Sequence, residues 1–192
     1  MSQAQLLHAL EWAWIAFAIY WVIAARTGKA AQTSESSLYR ILRLLLLAVT
    51  FTLLFANWTG IGFLGRNLAP PSFAYIGFTL AIVGMAIAFW ARVSLGQYWS
   101  DKVVLKVGHQ LIRSGPYVRM RHPIYSGVLL GVAGSALVVN QWRGVLAFVL
   151  LLANYSVKAR REDKILADAF PEDFPEHKRH AGFLLPRLYS KK

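Results

Sequence analysis

Apolar residues in this chain come in blocks about twenty long. That is the length an α-helix needs to cross a bilayer core at about 1.5 Å rise per residue. Hydrophobic residues make up 56 % of the 192-residue chain, well above an ordinary soluble domain. Five such blocks can be read: about Leu6–Ala25, about Leu38–Asn57, about Phe73–Ala91, then Ile124–Val139 and Trp142–Val157. Only Asn140–Gln141 separates the last two, a spacing that predicts a tight helical hairpin. The expected fold is all-α, an integral membrane protein with about five transmembrane helices. It is read as one domain, 1–192, with helices one to three in 1–93 and a functional half in 94–192.

The net charge of +12 invites a nucleic-acid reading, but its distribution argues against one. Arg26, Lys29, Arg40 and Arg43 flank the first connection. Arg92, Lys102, Lys106, Arg113, Arg119 and Arg121 fall in the third, and nine more Lys and Arg residues follow the last block. Those are alternate connections, on one side of a five-span chain. The other side holds Arg66 and Arg143. An excess of cytoplasmic Lys and Arg then places the N-terminus outside and the C-terminus in the cytoplasm, in a multi-pass protein of prokaryotic inner-membrane type. The bilayer and its anionic lipid account for the basic balance, and nucleic acid is not an expected partner. The chain has no cysteine, so disulfides, thiolate metal sites and cysteine nucleophiles are excluded. With no basic n-region or clear cleavage site, the first apolar block reads as retained.

Polar groups concentrate in two stretches, Ser94–Tyr125 and Lys158–Pro186, which the hairpin returns to one face. The densest part, Gly108–Gly127, holds two His, three Arg, three Gly, two Pro and two Tyr. Gly115–Pro116 predicts a turn. Pro123 suits the first turn of a helix, where its missing N–H costs nothing. His122 then stands at the N-cap side of the fourth span, where free N–H groups and the positive dipole end favour an anionic group. Tyr125 follows three residues on, close to the same face. In the second stretch, Lys158 and Glu162 are four apart on one helix face, a spacing that a surface salt bridge also explains. Phe183–Pro186 is an apolar segment able to fold back on the site. His109 and His122 lack a carboxylate at ligand spacing, and His177 and His180 form a lone i, i+3 pair, so no metal is expected. No Ser/His/Asp order, phosphate-binding loop or dinucleotide motif is present.

The motifs Leu95–Ser100 (LGQYWS), Gly108–Tyr117 (GHQLIRSGPY), Arg121–Gly127 (RHPIYSG), Lys158–Leu166 (KARREDKIL) and Leu184–Pro186 (LLP), in this order around a short hairpin, resemble the isoprenylcysteine carboxyl methyltransferase family. That family sits within a wider group of membrane methyltransferases that includes phospholipid methyltransferases. The resemblance implies S-adenosylmethionine as cofactor, held in a cytoplasmic pocket, and a lipophilic or prenylated acceptor arriving from the membrane. It implies His109, Gln110, Leu111, Ile112 and Tyr117 along the cofactor, and His122, Pro123, Ile124 and Tyr125 around its methionine and ribose. It also implies Glu162 on the cofactor's ammonium. His122, Tyr125 and Glu162 are the positioning groups; no catalytic acid or base is assigned. Lys158 stands where the family has Arg, and being a point charge it lacks a bidentate grip on a carboxylate; Arg160 and Arg161 are the further candidates on the substrate side. The physical chemistry agrees: a zwitterionic amino-acid tail needs an anion site and a carboxylate, which the His122 helix start and Glu162 supply. Alternatives are an NADPH-dependent sterol-type reductase, a phospholipid N-methyltransferase, a small-thiol S-methyltransferase and a non-catalytic scaffold.

Overall fold

A computed structural model describes residues 1–26, 36–58, 62–68, 70, 72–99 and 110–188. Among these residues the fold is all-helical: α1 (Gln3–Ala25), α2 (Ser37–Phe55), α3 (Phe73–Leu95), α4 (Pro123–Val139), α5 (Trp142–Ala169) and α6 (Asp173–His180). Short 3₁₀ turns stand at Gly62–Gly65, Gly96–Tyr98 and Gly115–Val118. Among the described residues, three helices are long and apolar enough to cross a membrane: α1, α2, and α3 with its 3₁₀ extension. The expectation of five is met in length and hydropathy by these three. The fourth block is a shorter apolar helix of 17 residues. The fifth is a 28-residue helix whose second half is charged.

The helices run up and down between two ends. Gln3 at the start of α1 donates to the Val138 carbonyl at the end of α4, while Arg92 near the end of α3 donates to Ala24 at the end of α1. Arg143 at the start of α5 donates to the Leu53, Leu54 and Ala56 carbonyls. Two buried arginines thus cap the C-termini of neighbouring helices, where carbonyls lack partners and the dipole is negative. The described basic residues of the first and third connections, and those after Val157, gather at the His122 end. Arg66 and Arg143 lie at the Asn140 end.

The densest contact is between α3 and α4, and its cause is side-chain size. Gly77, Ala81, Gly84 and Ala88 of α3 face Gly127, Gly131 and Gly134 of α4. A Cβ on Gly84 would collide with the backbone of Gly127 and Gly131, and one on Gly134 with the backbone of Gly77 and Ala81. Small residues of this kind let helix backbones approach where lipid gives no hydrophobic drive. In the sequence, Gly77 and Gly84 of the third block predict a close helix contact, and that contact is present. Trp14 of α1 enters the notch above Gly131 and donates to Ser135 Oγ at 2.9 Å.

The expected hairpin is also present. Asn140 ends α4 in the left-handed region, at φ 55°, a conformation Asn tolerates. Its carbonyl accepts from Leu68, and Trp142 donates to Arg66, which ties the turn to the segment before α3.

Replacing Gly84 by Val forces α3 and α4 apart. We expect a loss of about 1–3 kcal/mol, the usual cost of overpacking, seen as a lower melting temperature in detergent. Ile82→Leu, on an exposed position of the same helix, should leave the melting temperature unchanged.

Candidate active site

Hairpin geometry decides which residues meet. α4 runs seventeen residues away from His122, and seventeen residues of α5, counted from Trp142, end at Lys158. The KARRED segment therefore stands level with the start of α4. His122 is the N-cap of α4, and Pro123 fills the first helical position.

The His122 ring is buried between two consecutive carboxylates of α5. Its Nε2 lies 2.8 Å from Asp163 Oδ1, and its Nδ1 lies 3.5 Å from Glu162 Oε2. Arg121 closes the far side of Asp163, with Nε and Nη2 each within 3.3 Å of the carboxylate. Its Nη1 donates to the Ala181 carbonyl at 2.7 Å. Tyr125 donates its hydroxyl to Glu162 Oε1 at 2.5 Å. Lys158 Nζ stands 3.9 Å from the same oxygen and 5.1 Å from the centre of the Tyr125 ring. The result is two anions among Arg121, His122 and Lys158. Asp163 and Glu162 are 15 % and 22 % exposed at the side chain, against 4 % for His122, so the carboxylates keep the open edge.

Aromatic rings line the apolar side. His122 lies parallel to Tyr125 at 5.6 Å, and Tyr125 stacks on Tyr155 at 4.8 Å. Phe183 meets His122 edge-on at 5.4 Å, so the closing apolar segment does fold back on this ring. It is held by backbone bonds from Arg121 to Gly182, from Gly182 to Arg119 and from Arg187 to Arg119. Tyr117, Ile124 and Ala159 form a second buried cluster with Ala91 and Trp99, with Ile112 packed against it. Arg113 anchors that wall to α6, 2.8 Å from Asp173.

The charges tune each other. Burial pushes the His122 imidazole down, but its hydrogen bonds to Asp163 and Glu162 and their charges outweigh that and hold it above 6.5. Burial pushes Glu162 up, and its bonds to His122 and Tyr125 with the Lys158 charge bring it below 4.5. Asp163 is held below 3.8 in the same way by His122 and Arg121, against burial. His177 of α6 behaves oppositely: burial first, then Arg113 and Arg121, push it down to about 4, so it stays neutral.

Of the residues expected at the site, His122, Pro123, Ile124, Tyr125, Lys158 and Glu162 come together around the carboxylates. Tyr117 and Ile112 line the adjoining wall. Leu111 is half-buried and Gln110 exposed. His109 lies outside the described residues. Arg160 is exposed, and Arg161 sits 3.9 Å over the Tyr39 ring of α2, so neither joins the cluster. The salt-bridge explanation of Lys158 and Glu162 holds as geometry, but inside the protein rather than at its surface. Sequence reasoning missed Asp163, Arg121 and Tyr155. The signal for the first two was adjacency, since each stands next to a residue already chosen.

The fold defines an all-helical membrane protein whose charged groups gather at one end of the bundle. Residues 76–168 match the model of the isoprenylcysteine carboxyl methyltransferase (ICMT) family, and this segment belongs to that family. Over 112 residues the chain is 36 % identical to the cobalt-zinc-cadmium resistance protein CzcN of Cupriavidus metallidurans, covering 57 % of this chain and 49 % of that one. It is 30 % identical over 114 residues to a probable protein-S-isoprenylcysteine O-methyltransferase of Oryza sativa, covering 57 % and 60 %. It is 34 % identical over 100 residues to the protein YpbQ of Bacillus subtilis, covering 51 % and 60 %. The matched segment thus spans about half to three fifths of these relatives.

Two outcomes follow for the network. A histidine held above its ordinary pKa contributes stability that is full below 6.5 and lost as pH rises through the raised value. Carboxylates held below 4.5 and 3.8 contribute stability present above those values and lost as pH falls. The melting-temperature gap between wild type and His122→Gln should therefore peak between about pH 5 and 6.5 and shrink on both sides; a gap that is flat with pH contradicts this. Asp163→Asn should cost about 3–5 kcal/mol, because it leaves the buried Arg121 without its anion and His122 with one carboxylate instead of two.

Proposed function

We propose that the protein is an integral membrane methyltransferase that uses S-adenosylmethionine and acts on a lipophilic acceptor, in the manner of an isoprenylcysteine carboxyl O-methyltransferase. Family membership of residues 76–168 supports the reaction class. The observation that carries the cofactor is a pairing of opposite sites. Glu162 keeps an exposed edge on its carboxylate. Beside it, Ile124 and Tyr125 open α4, and in a helix's first turn N–H groups have no intrahelical acceptor. An amino-acid tail carries an ammonium and a carboxylate on one carbon, and a carboxylate beside free helix N–H groups supplies a partner for each. The wall formed by Ile112, Tyr117 and Ile124 offers the flat apolar surface an adenine needs; Gln110, Leu111 and His109 are assigned to the cofactor by the family resemblance alone.

Bound there, S-adenosylmethionine supplies a methyl group on a sulfonium. The chain's residues have to bind, orient and keep water away. Glu162 is fixed by Tyr125, His122 and Lys158, so it presents its carboxylate without reorganisation. Phe183 and the segment around it cover the ring of His122 from the far side. An anionic acceptor loses charge on the way to the transition state, so a dry site at the membrane boundary favours transfer. Orientation of the two reactants is worth on the order of 7–11 kcal/mol where alignment is good. Neither of these needs a general base.

The reading places five crossings in the bilayer. α4 spans about 25 Å at 1.5 Å per residue, close to a hydrocarbon core, and the first half of α5 returns beside it. The gathering of basic residues at the His122 end supports a cytoplasmic site, an outside N-terminus and residence in a cytoplasmic membrane.

Calorimetry on detergent-purified protein tests the proposal. Wild type should bind S-adenosylmethionine and S-adenosylhomocysteine at micromolar concentration. Glu162→Gln should weaken both by about tenfold or more, the worth of one charge-assisted contact. Absence of binding by folded wild type overturns the cofactor assignment.

A further inference from the structure

One polar group of the second half is left unused by this account. Asn154 lies on α5 one turn before the charged cluster that begins at Lys158, within the apolar part of the helix. Its side-chain Nδ2 is buried and has no hydrogen-bond partner among the described residues. An amide donor left unmade in a low-dielectric setting is costly, and inside a bilayer no water compensates it. Asn is a poor helix former in apolar surroundings, so packing does not account for it either.

Its place on the helix gives it neighbours. Residues 154, 158 and 162 follow at i, i+4 and i+8, so Asn154, Lys158 and Glu162 form one polar stripe leading from the site towards the bilayer. Arg161, at i+7, shares that side and covers Tyr39 of α2, so the stripe borders α2. Arg43, one turn further along α2, lies within electrostatic reach of Tyr155, the residue after Asn154. The amide therefore stands one turn from Lys158, on the side of α5 that meets α2. Only 11 % of the apolar stretch of α2 is buried, the least of the three long apolar helices, so a lipophilic molecule entering along it displaces little packing.

We propose that Asn154 is a specificity-determining residue of the acceptor site: its Nδ2 amide donates a hydrogen bond to an oxygen of the acceptor's head group, with Lys158 one turn above. This rests on the methyltransferase reading. An amide donor one helical turn from Lys158 favours an anionic oxygen, which accepts its hydrogen bond, and opposes an ammonium. It thereby favours an acid-headed amphiphile over an amine-headed one of equal chain length.

The test compares N-acetyl-S-farnesylcysteine, which carries a carboxylate, with S-farnesylcysteamine, which carries an amine. Binding of each to wild type, Asn154→Leu and Asn154→Gln is measured in detergent, beside S-adenosylmethionine binding and melting temperature. Wild type should bind the carboxylate probe about tenfold tighter than the amine, and Asn154→Leu should lose about that factor, as for one hydrogen bond to a charged group. S-adenosylmethionine binding should not change. The melting temperature of Asn154→Leu should hold or rise, because an unpartnered donor has been removed; a merely structural asparagine would lower it. Asn154→Gln should recover part of the carboxylate affinity. The inference is overturned if Asn154→Leu binds the carboxylate probe like wild type, or if wild type prefers the amine or binds neither probe. If wild type binds no S-adenosylmethionine, the methyltransferase reading itself has failed and takes the inference with it.

Discussion

The charged end of this molecule depends on one imidazole shared by two consecutive carboxylates. Glu162 and Asp163 are neighbours on α5, so their side chains leave the helix about 100° apart. They diverge and cannot both reach a single-atom donor. A histidine ring offers two donors on opposite sides when protonated, and His122 fits between them. Asp163 takes Nε2 and Glu162 faces Nδ1. This joins the first residue of α4 to the far extension of α5, across the open end of the hairpin. Without it, α5 beyond Lys158 would keep the Arg121 bond to Asp163, the Tyr125 bond to Glu162 and the Arg161 contact with Tyr39 to hold it.

The remaining contacts follow from that junction. Two carboxylates around one cation leave an anion to spare, and Arg121 and Lys158 approach from opposite sides to meet it. Arg121 binds Asp163 and holds the returning chain at Ala181. Tyr125 fixes the remaining oxygen of Glu162 and stacks on the His122 ring. Burying so many charges is tolerable because each is paired and hydrogen-bonded; removing one partner leaves an uncompensated ion. The glycine seam of α3 and α4 serves the same end. It sets α4 at a fixed depth against α3, and so sets where His122 stands relative to α5.

Much of this was legible in the sequence where a local rule applied. The two-residue connection Asn140–Gln141 gave the hairpin, which returns the Lys158–Pro186 stretch to the face of His122. Gly77 and Gly84 indicated a close crossing, and Pro123 marked the helix start. What was not legible depended on direction in space. Arg160 and Arg161 resemble further substrate contacts by proximity in sequence, but the helix turns Arg160 outwards and Arg161 onto Tyr39 of α2. The i, i+4 spacing pairs Glu162 with Lys158 along one helix and says nothing of a partner across the hairpin, which is where Asp163 finds His122. Helix lengths were also uneven: three blocks became long apolar helices, whereas the fourth is shorter and the fifth continues into charged residues with no break.

The most direct measurement is the protonation state of His122 itself. Protein labelled with ¹⁵N at histidine, with His122→Gln used for assignment, reports both ring nitrogens in detergent solution. At pH 6.5, where an ordinary histidine is half-protonated, His122 should show two protonated nitrogens and a dominant imidazolium. A neutral ring with one bare nitrogen at that pH would mean that the two carboxylates do not share it, and the site built around it would have to be redrawn.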